Sequence, residues 1–168
     1  MRNEFSTLDI VKTLEIPRER LRSWMKEGFV RPSVPAEGQG TKAVFSRHDV
    51  YAVSLFKDLL GAGFRREIAA SQLEEFSKVF HKSYELVLFR KITLQGGSMV
   101  HCAPIIITGN NNFAVMSGEA NFTDDVGEIH KRTEAVKSVN DISQWDNFFV
   151  VNMRKMKSKV DRKLLLLE

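Results

Sequence analysis

Arg18, Glu19, Arg22 and Lys26 are the residues whose types and spacing suggest chemistry first. An Arg can present two donors to a guanine edge, and a Glu can accept from cytosine. Arg22 and Lys26 stand four residues apart, which puts both on one face of a helix. That spacing suits phosphate contact, which positions a protein without carrying sequence information. Arg31, Lys42 and Arg47 follow. Residues 16–47 carry seven Lys or Arg against three Asp or Glu. The bias is local: residues 71–149 carry seven basic and ten acidic groups, and residues 150–168 six and two. Such separation points to distinct roles along the chain. The whole-chain charge of +4 speaks only to association and solubility.

Other chemistry is poorly supported. There is no Gly-rich phosphate loop, His-Glu-x-x-His run or Gly-x-Ser-x-Gly elbow, so an enzyme is not expected. Asp124-Asp125 with Glu128 and His130 has no motif to lift it above a surface loop. His101-Cys102 invites a metal reading, but Cys102 is the single cysteine. One thiolate cannot supply a soft-metal site or an iron–sulfur cluster, so no metal and no cofactor are expected, and Cys102 is taken as an inert strand residue. A lone cysteine also fits a reducing, cytoplasmic setting. No apolar run is long enough to span a membrane. Phe89, Phe113, Phe122, Phe148 and Phe149 lie where they can line a small-molecule pocket, although aromatics in strands are more often plain core.

Helices must position the cations. Ser6 or Thr7 can cap a first helix carrying Leu8, Val11 and Leu14. Pro17 suits the first turn of a second, which carries Leu21, Trp24 and Met25 and stops at Gly28. Leu21 and Met25 are read as core; Trp24 is either core or partly exposed with an indole donor facing phosphate. Two such helices joined by a short turn form a helix-turn-helix. Residues 31–44, broken by Pro32, Pro35, Gly38 and Gly40, read as a loop or hairpin. Ser46 caps a third helix bearing Val50, Val53, Leu55, Phe56 and Leu59. After Gly61-Ala62-Gly63-Phe64 a fourth begins near Arg65. Beyond Tyr84, Glu85–Leu94, Val100–Thr108, Phe113–Phe122 and Asn147–Val151 read as strands, with Gly96-Gly97 and Gly109–Asn112 as turns. Residues 123–146 are ambiguous. Met153, Met156, Val160, Leu164 and Leu167 mark a C-terminal helix, with Asn152 as its cap. No internal repeat is evident. The expected class is α+β: a winged helix-turn-helix of four helices over residues 1–80, then a small α+β domain over 84–168 with antiparallel strands and a terminal helix.

Phe5-Ser6-Thr7-Leu8-Asp9-Ile10-Val11-Lys12 resembles the opening of the MerR family of transcriptional regulators. Leu21 through Pro32 resembles that family's signature across the recognition helix and its exit. Phe45-Ser46, Asp49-Val50 and Gly63-Phe64 continue the likeness in order, so it covers about residues 5–70. Ser23-Trp24 stands where the family usually has two aromatics, and Lys42-Ala43 where it usually has an aromatic-Arg pair. The family's long dimerisation helix would have to fit between about Arg65 and Phe80 or slightly beyond, because strand-like sequence follows. The resemblance implies double-stranded DNA as partner, a homodimer on an inverted-repeat operator, RNA polymerase as a further partner and a small-molecule effector. Its DNA-binding candidates are Ser6, Thr7, Arg18, Glu19, Arg22, Trp24, Lys26, Arg31, Lys42 and Arg47. Residues 84–168 would be the sensor or oligomerisation module. The alternatives are an excisionase-like architectural protein, which bends DNA without controlling a promoter, and a helix-turn-helix that meets proteins rather than DNA.

Overall fold

A computed structural model describes residues 2–38, 41–77, 86–90, 105–107, 113–114, 118–123, 129–134 and 148–167, with side chains over 2–38, 41–74 and 149–167. The chain is α+β. It divides into two compact units: Met1–Ala70 together with Lys155–Glu168, and Ser71–Arg154.

The first unit begins with β1 (Glu4–Ser6), α1 (Thr7–Leu14) and α2 (Arg18–Lys26), followed by β2 (Val44–Ser46) and α3 (Arg47–Gly61). β1 and β2 pair antiparallel, with Phe5 opposite Phe45 and both buried. Each strand ends in a serine that caps the next helix. Ser6 Oγ accepts from Asp9 N–H, and the Asp9 carboxylate accepts from Ser6 N–H at 2.8 Å. Ser46 and Asp49 repeat the arrangement, with Ser46 N–H 2.7 Å from the Asp49 carboxylate. These reciprocal boxes satisfy orphan donors of each helix. Phe5-Ser6-x-x-Asp9 and Phe45-Ser46-x-x-Asp49 are thus one local device used twice, a five-residue repeat where none was expected.

Helix ends are equally specified. Gly28, at φ 79°, takes the left-handed conformation after α2, and Phe29 N–H turns back to the Trp24 carbonyl at 2.9 Å. Glu15 ends α1 in the same region at φ 53°, among the described residues the one non-glycine with positive φ. Lys57 Nζ reaches the Leu14 carbonyl at 2.6 Å, a cation at a helix C-terminus.

The core of this unit includes Ile10, Leu21, Phe45, Val50, Leu55, Phe56 and Leu59, all essentially inaccessible. Trp24 belongs to it. It is 2% exposed and meets the Phe56 ring edge-on, with centroids 5.0 Å apart. The partly exposed alternative for Trp24 is therefore corrected: Leu21 and Trp24 are three residues apart and share the inward face of α2, while Met25 is only half-buried.

α4 (Arg66–Ser77) begins in the first unit and continues into the second. The second unit then carries β3 (Leu86–Arg90), β4 (Ile105–Ile107), β5 (Phe113–Ala114), β6 (Gly118–Thr123), β7 (Ile129–Glu134) and β8 (Phe148–Asn152). A four-stranded antiparallel sheet has the order β5-β4-β3-β8, and β6 pairs with β7 in a separate ribbon. The ambiguous stretch 123–146 thus contributes a strand, β7. Phe113–Phe122, expected as one strand, carries two short ones with different partners. Cys102, His101, the Gly96-Gly97 and Gly109–Asn112 turns and the Asp124–Glu128 cluster lie outside the described residues.

β8 leads directly into α5 (Met153–Leu165). The expected C-terminal domain spans residues 84–168. The structure instead puts Lys155–Glu168 with the N-terminal unit. The cause is the apolar stripe of α5: Met156, Val160 and Leu164 are buried.

Candidate nucleic-acid interface

α2 owes its orientation to two faces of opposite character. Leu21 and Trp24 anchor it, and Arg18, Glu19, Arg20, Arg22 and Lys26 are exposed. Arg18, Arg22 and Lys26 recur every fourth residue, so they form one outward stripe. Within it Arg22 Nη1 lies 3.2 Å from the Glu19 carboxylate, an exposed i,i+3 pair. Such a pair is worth little and leaves the guanidinium free to exchange partners. Arg18 and Lys26 make no ion pair among the described residues. Arg20 is equally exposed; its place between Glu19 and Leu21 on a cationic helix was the signal that could have nominated it.

Behind Lys26 the surface charge is compensated. Glu27 accepts from the Ser23 hydroxyl and lies 3.2 Å from Arg66 Nη1. The Ser23 hydrogen bond, with Arg66 beside it, holds the Glu27 carboxyl below its ordinary value. Ser23 thus holds a carboxylate.

The excursion after α2 is strapped at its base. Val34 and Val44 exchange two backbone hydrogen bonds, at 3.0 and 2.9 Å. The Asp49 carboxylate accepts from Ser33 N–H at 2.9 Å and Ser33 Oγ at 2.6 Å. Near the tip, Thr41 N–H and hydroxyl both donate to the Gly38 carbonyl. Arg31 and Lys42 are exposed along this ribbon, whereas Ala43 is buried.

Ser6 and Thr7 are half-buried at the start of α1. Ser6 is spent on its cap: its hydroxyl also donates to the Asp9 carboxylate at 2.8 Å. Burial opposes ionisation of Asp9. The Ser6 N–H and hydroxyl, with Arg2 at 2.8 Å, outweigh it and hold the carboxyl below its ordinary value.

Arg47 is placed differently from the other cations. Its Nη1 lies 3.1 Å from Asp161 Oδ1 in α5, and its Nη2 donates to the Arg2 carbonyl at 3.1 Å. The Tyr51 hydroxyl donates to the same Asp161 oxygen at 2.7 Å. Burial and that hydrogen bond push the Tyr51 hydroxyl up to about 12. Lys157 Nζ stands 5.8 Å from the Tyr51 ring centre, within cation–π range. Arg47 therefore joins a cluster between α3 and α5 with its side chain still 21% exposed, and Trp24 is core. Asp161, the lone acid in a helix of six Lys or Arg, was the available clue to that cluster.

Among the described residues no His, Cys, Asp or Glu cluster could hold a metal ion, and no helix is long and apolar enough to cross a membrane. A comparison with curated proteins yields no match. Residues 5–70 match the model of the MerR HTH family regulatory proteins. The N-terminal segment of this chain is therefore a MerR-family helix-turn-helix, the part through which such regulators meet DNA.

Proposed function

We propose that this chain is a sequence-specific transcriptional regulator of MerR type that binds an inverted-repeat operator as a homodimer. α2 is the recognition helix, and residues 31–44 form the wing beside it. The observation that carries the reading is the outward stripe Arg18, Arg22, Lys26, held in place by buried Leu21 and Trp24. Arg18 and Glu19, in the first turn of α2, read base edges; Arg22, Lys26, Arg31 and Lys42 take phosphates. A single helix-turn-helix buries little surface, and two half-sites about 34 Å apart restore affinity and specificity. The Ser71–Arg154 unit takes the sensor role, with a small-molecule effector, and RNA polymerase is the further partner.

The test is selection of bound fragments from genomic DNA by the full chain, with affinity measured at two salt concentrations. Enrichment of an inverted repeat with a steep salt slope supports the proposal. Tight binding without enrichment replaces it with an architectural role. Absence of binding at low salt assigns the helix-turn-helix to protein contacts.

A further inference from the structure

We infer that the outward face of α5 is a second phosphate-binding surface, which takes the backbone of the duplex flanking the site read by α2. The inference rests on the DNA-binding reading above. Its observation is a sorting of side chains around one helix. Met156, Val160 and Leu164 are buried, while Arg154, Lys155, Ser158, Lys159 and Arg162 are exposed. Positions 155, 158, 159 and 162 fall on one helical face. The lone acid of the helix, Asp161, is taken inward by Arg47 and Tyr51. The exposed face is therefore cationic without an acid of its own. Lys159 feels Asp58 and Glu15 at longer range, but neither Lys159 nor Arg162 has a hydrogen bond or ion pair among the described residues.

Continuity with the reading head comes from two attachments in the same compact unit. Lys163 Nζ lies 2.6 Å from the Glu15 carboxylate, in the turn three residues before α2 starts. The Asp161 cluster fixes α5 to the start of α3. Lys163 also neutralises a carboxylate beside the end of α2 that would enter a groove. Arg162, its neighbour, points outward.

The occupant is a phosphate backbone rather than a lipid surface. A helix lying in a bilayer interface needs its apolar face free. Here that face is consumed by the fold, and along α5 only Leu165 and, just beyond it, Leu166 remain as exposed large hydrophobics. What is left is charge, which suits counterion release from a duplex.

The test uses the full chain and a fluorescein-labelled duplex of mixed sequence, titrated across a salt series. The double variant Lys159→Gln, Arg162→Gln retains good helix formers at exposed positions and should unfold at the same midpoint as the parent. Its log K against log salt slope should fall by about 0.9 for each lost phosphate contact, about 1.8 in all. Lys159→Arg should keep the parental slope. An unchanged slope in the double variant, with Arg22→Ala lowering it, overturns the α5 surface and leaves the reading head standing. Failure of the parent chain to bind any duplex at low salt overturns both. Capture of the parent by phosphatidylserine vesicles, lost in the double variant while DNA binding is unchanged, gives the face to a membrane and overturns the proposal.

Discussion

At the scale of single residues, exposure and partners separate side chains of the same type. Arg18 and Arg22 project from α2, whereas Arg47 is held by Asp161 and the Arg2 carbonyl. Arg18→Ala should cost about 1–3 kcal/mol at selected base pairs only, whereas Arg22→Ala should weaken all sequences alike and lower the salt slope by about 0.9. Binding isotherms on operator and point-variant duplexes separate the two, and a uniform loss in Arg18→Ala would make it a backbone contact. Tyr51 offers a pH test. Its hydroxyl is raised to about 12 from an ordinary 10, so its neutral form is favoured by folding. That stability is fully present below pH 10 and is lost as pH rises through about 12. Absorbance titration of phenolate should show a late step that Tyr51→Phe abolishes; a Tyr51 that ionises near 10 would refute its bond to Asp161.

At the scale of elements, two capping boxes and one strap set the frame. Asp49 accepts from Ser46 N–H, Ser33 N–H and Ser33 Oγ, so one carboxylate both starts α3 and holds the ribbon after α2. Ser46→Ala removes one cap acceptor and should destabilise by about 0.5–2 kcal/mol. Asp49→Ala also frees Ser33 and should cost more; denaturant melts that give the two variants equal losses would dismiss the strap. Capping was legible beforehand because Ser-x-x-Asp acts over three residues. The strap was not, since Ser33 and Asp49 are sixteen residues apart and no local spacing rule links them.

At the scale of the whole molecule, the first unit is closed by a segment from the far end of the chain. α5 buries Val160 and Leu164, at 2% and 3% exposure. Leu164→Ala should therefore destabilise the DNA-reading unit by about 2–5 kcal/mol, although it lies more than a hundred residues beyond the end of α3 at Gly61. Emission of the buried Trp24, isolated by Trp145→Phe, reports this directly. A Trp24 transition unmoved by Leu164→Ala would detach α5 from the unit. Because α4 leaves the first unit and β8 returns to it through α5, the Ser71–Arg154 unit is an insertion with two covalent connections to the reading head.

Much of the N-terminal half could be read from residues in order. Helix starts, the Gly28 stop, the apolar spacing of α3 and the MerR likeness all depend on contacts within a few positions, where period and capping chemistry act alone. The strands around 86–90, 105–107 and 148–152 were visible as branched and aromatic runs. Their order was not, because pairing β3 with both β4 and β8 joins distant segments. Tertiary structure also decided which side chains face outward. Trp24 and Met25 are adjacent, yet the indole packs against Phe56 while Met25 stays half-buried. Asp161 looks like one acid among lysines, and only the approach of α3 turns it toward Arg47 and Tyr51. Non-local burial chose the faces, and with them the surface left for a partner.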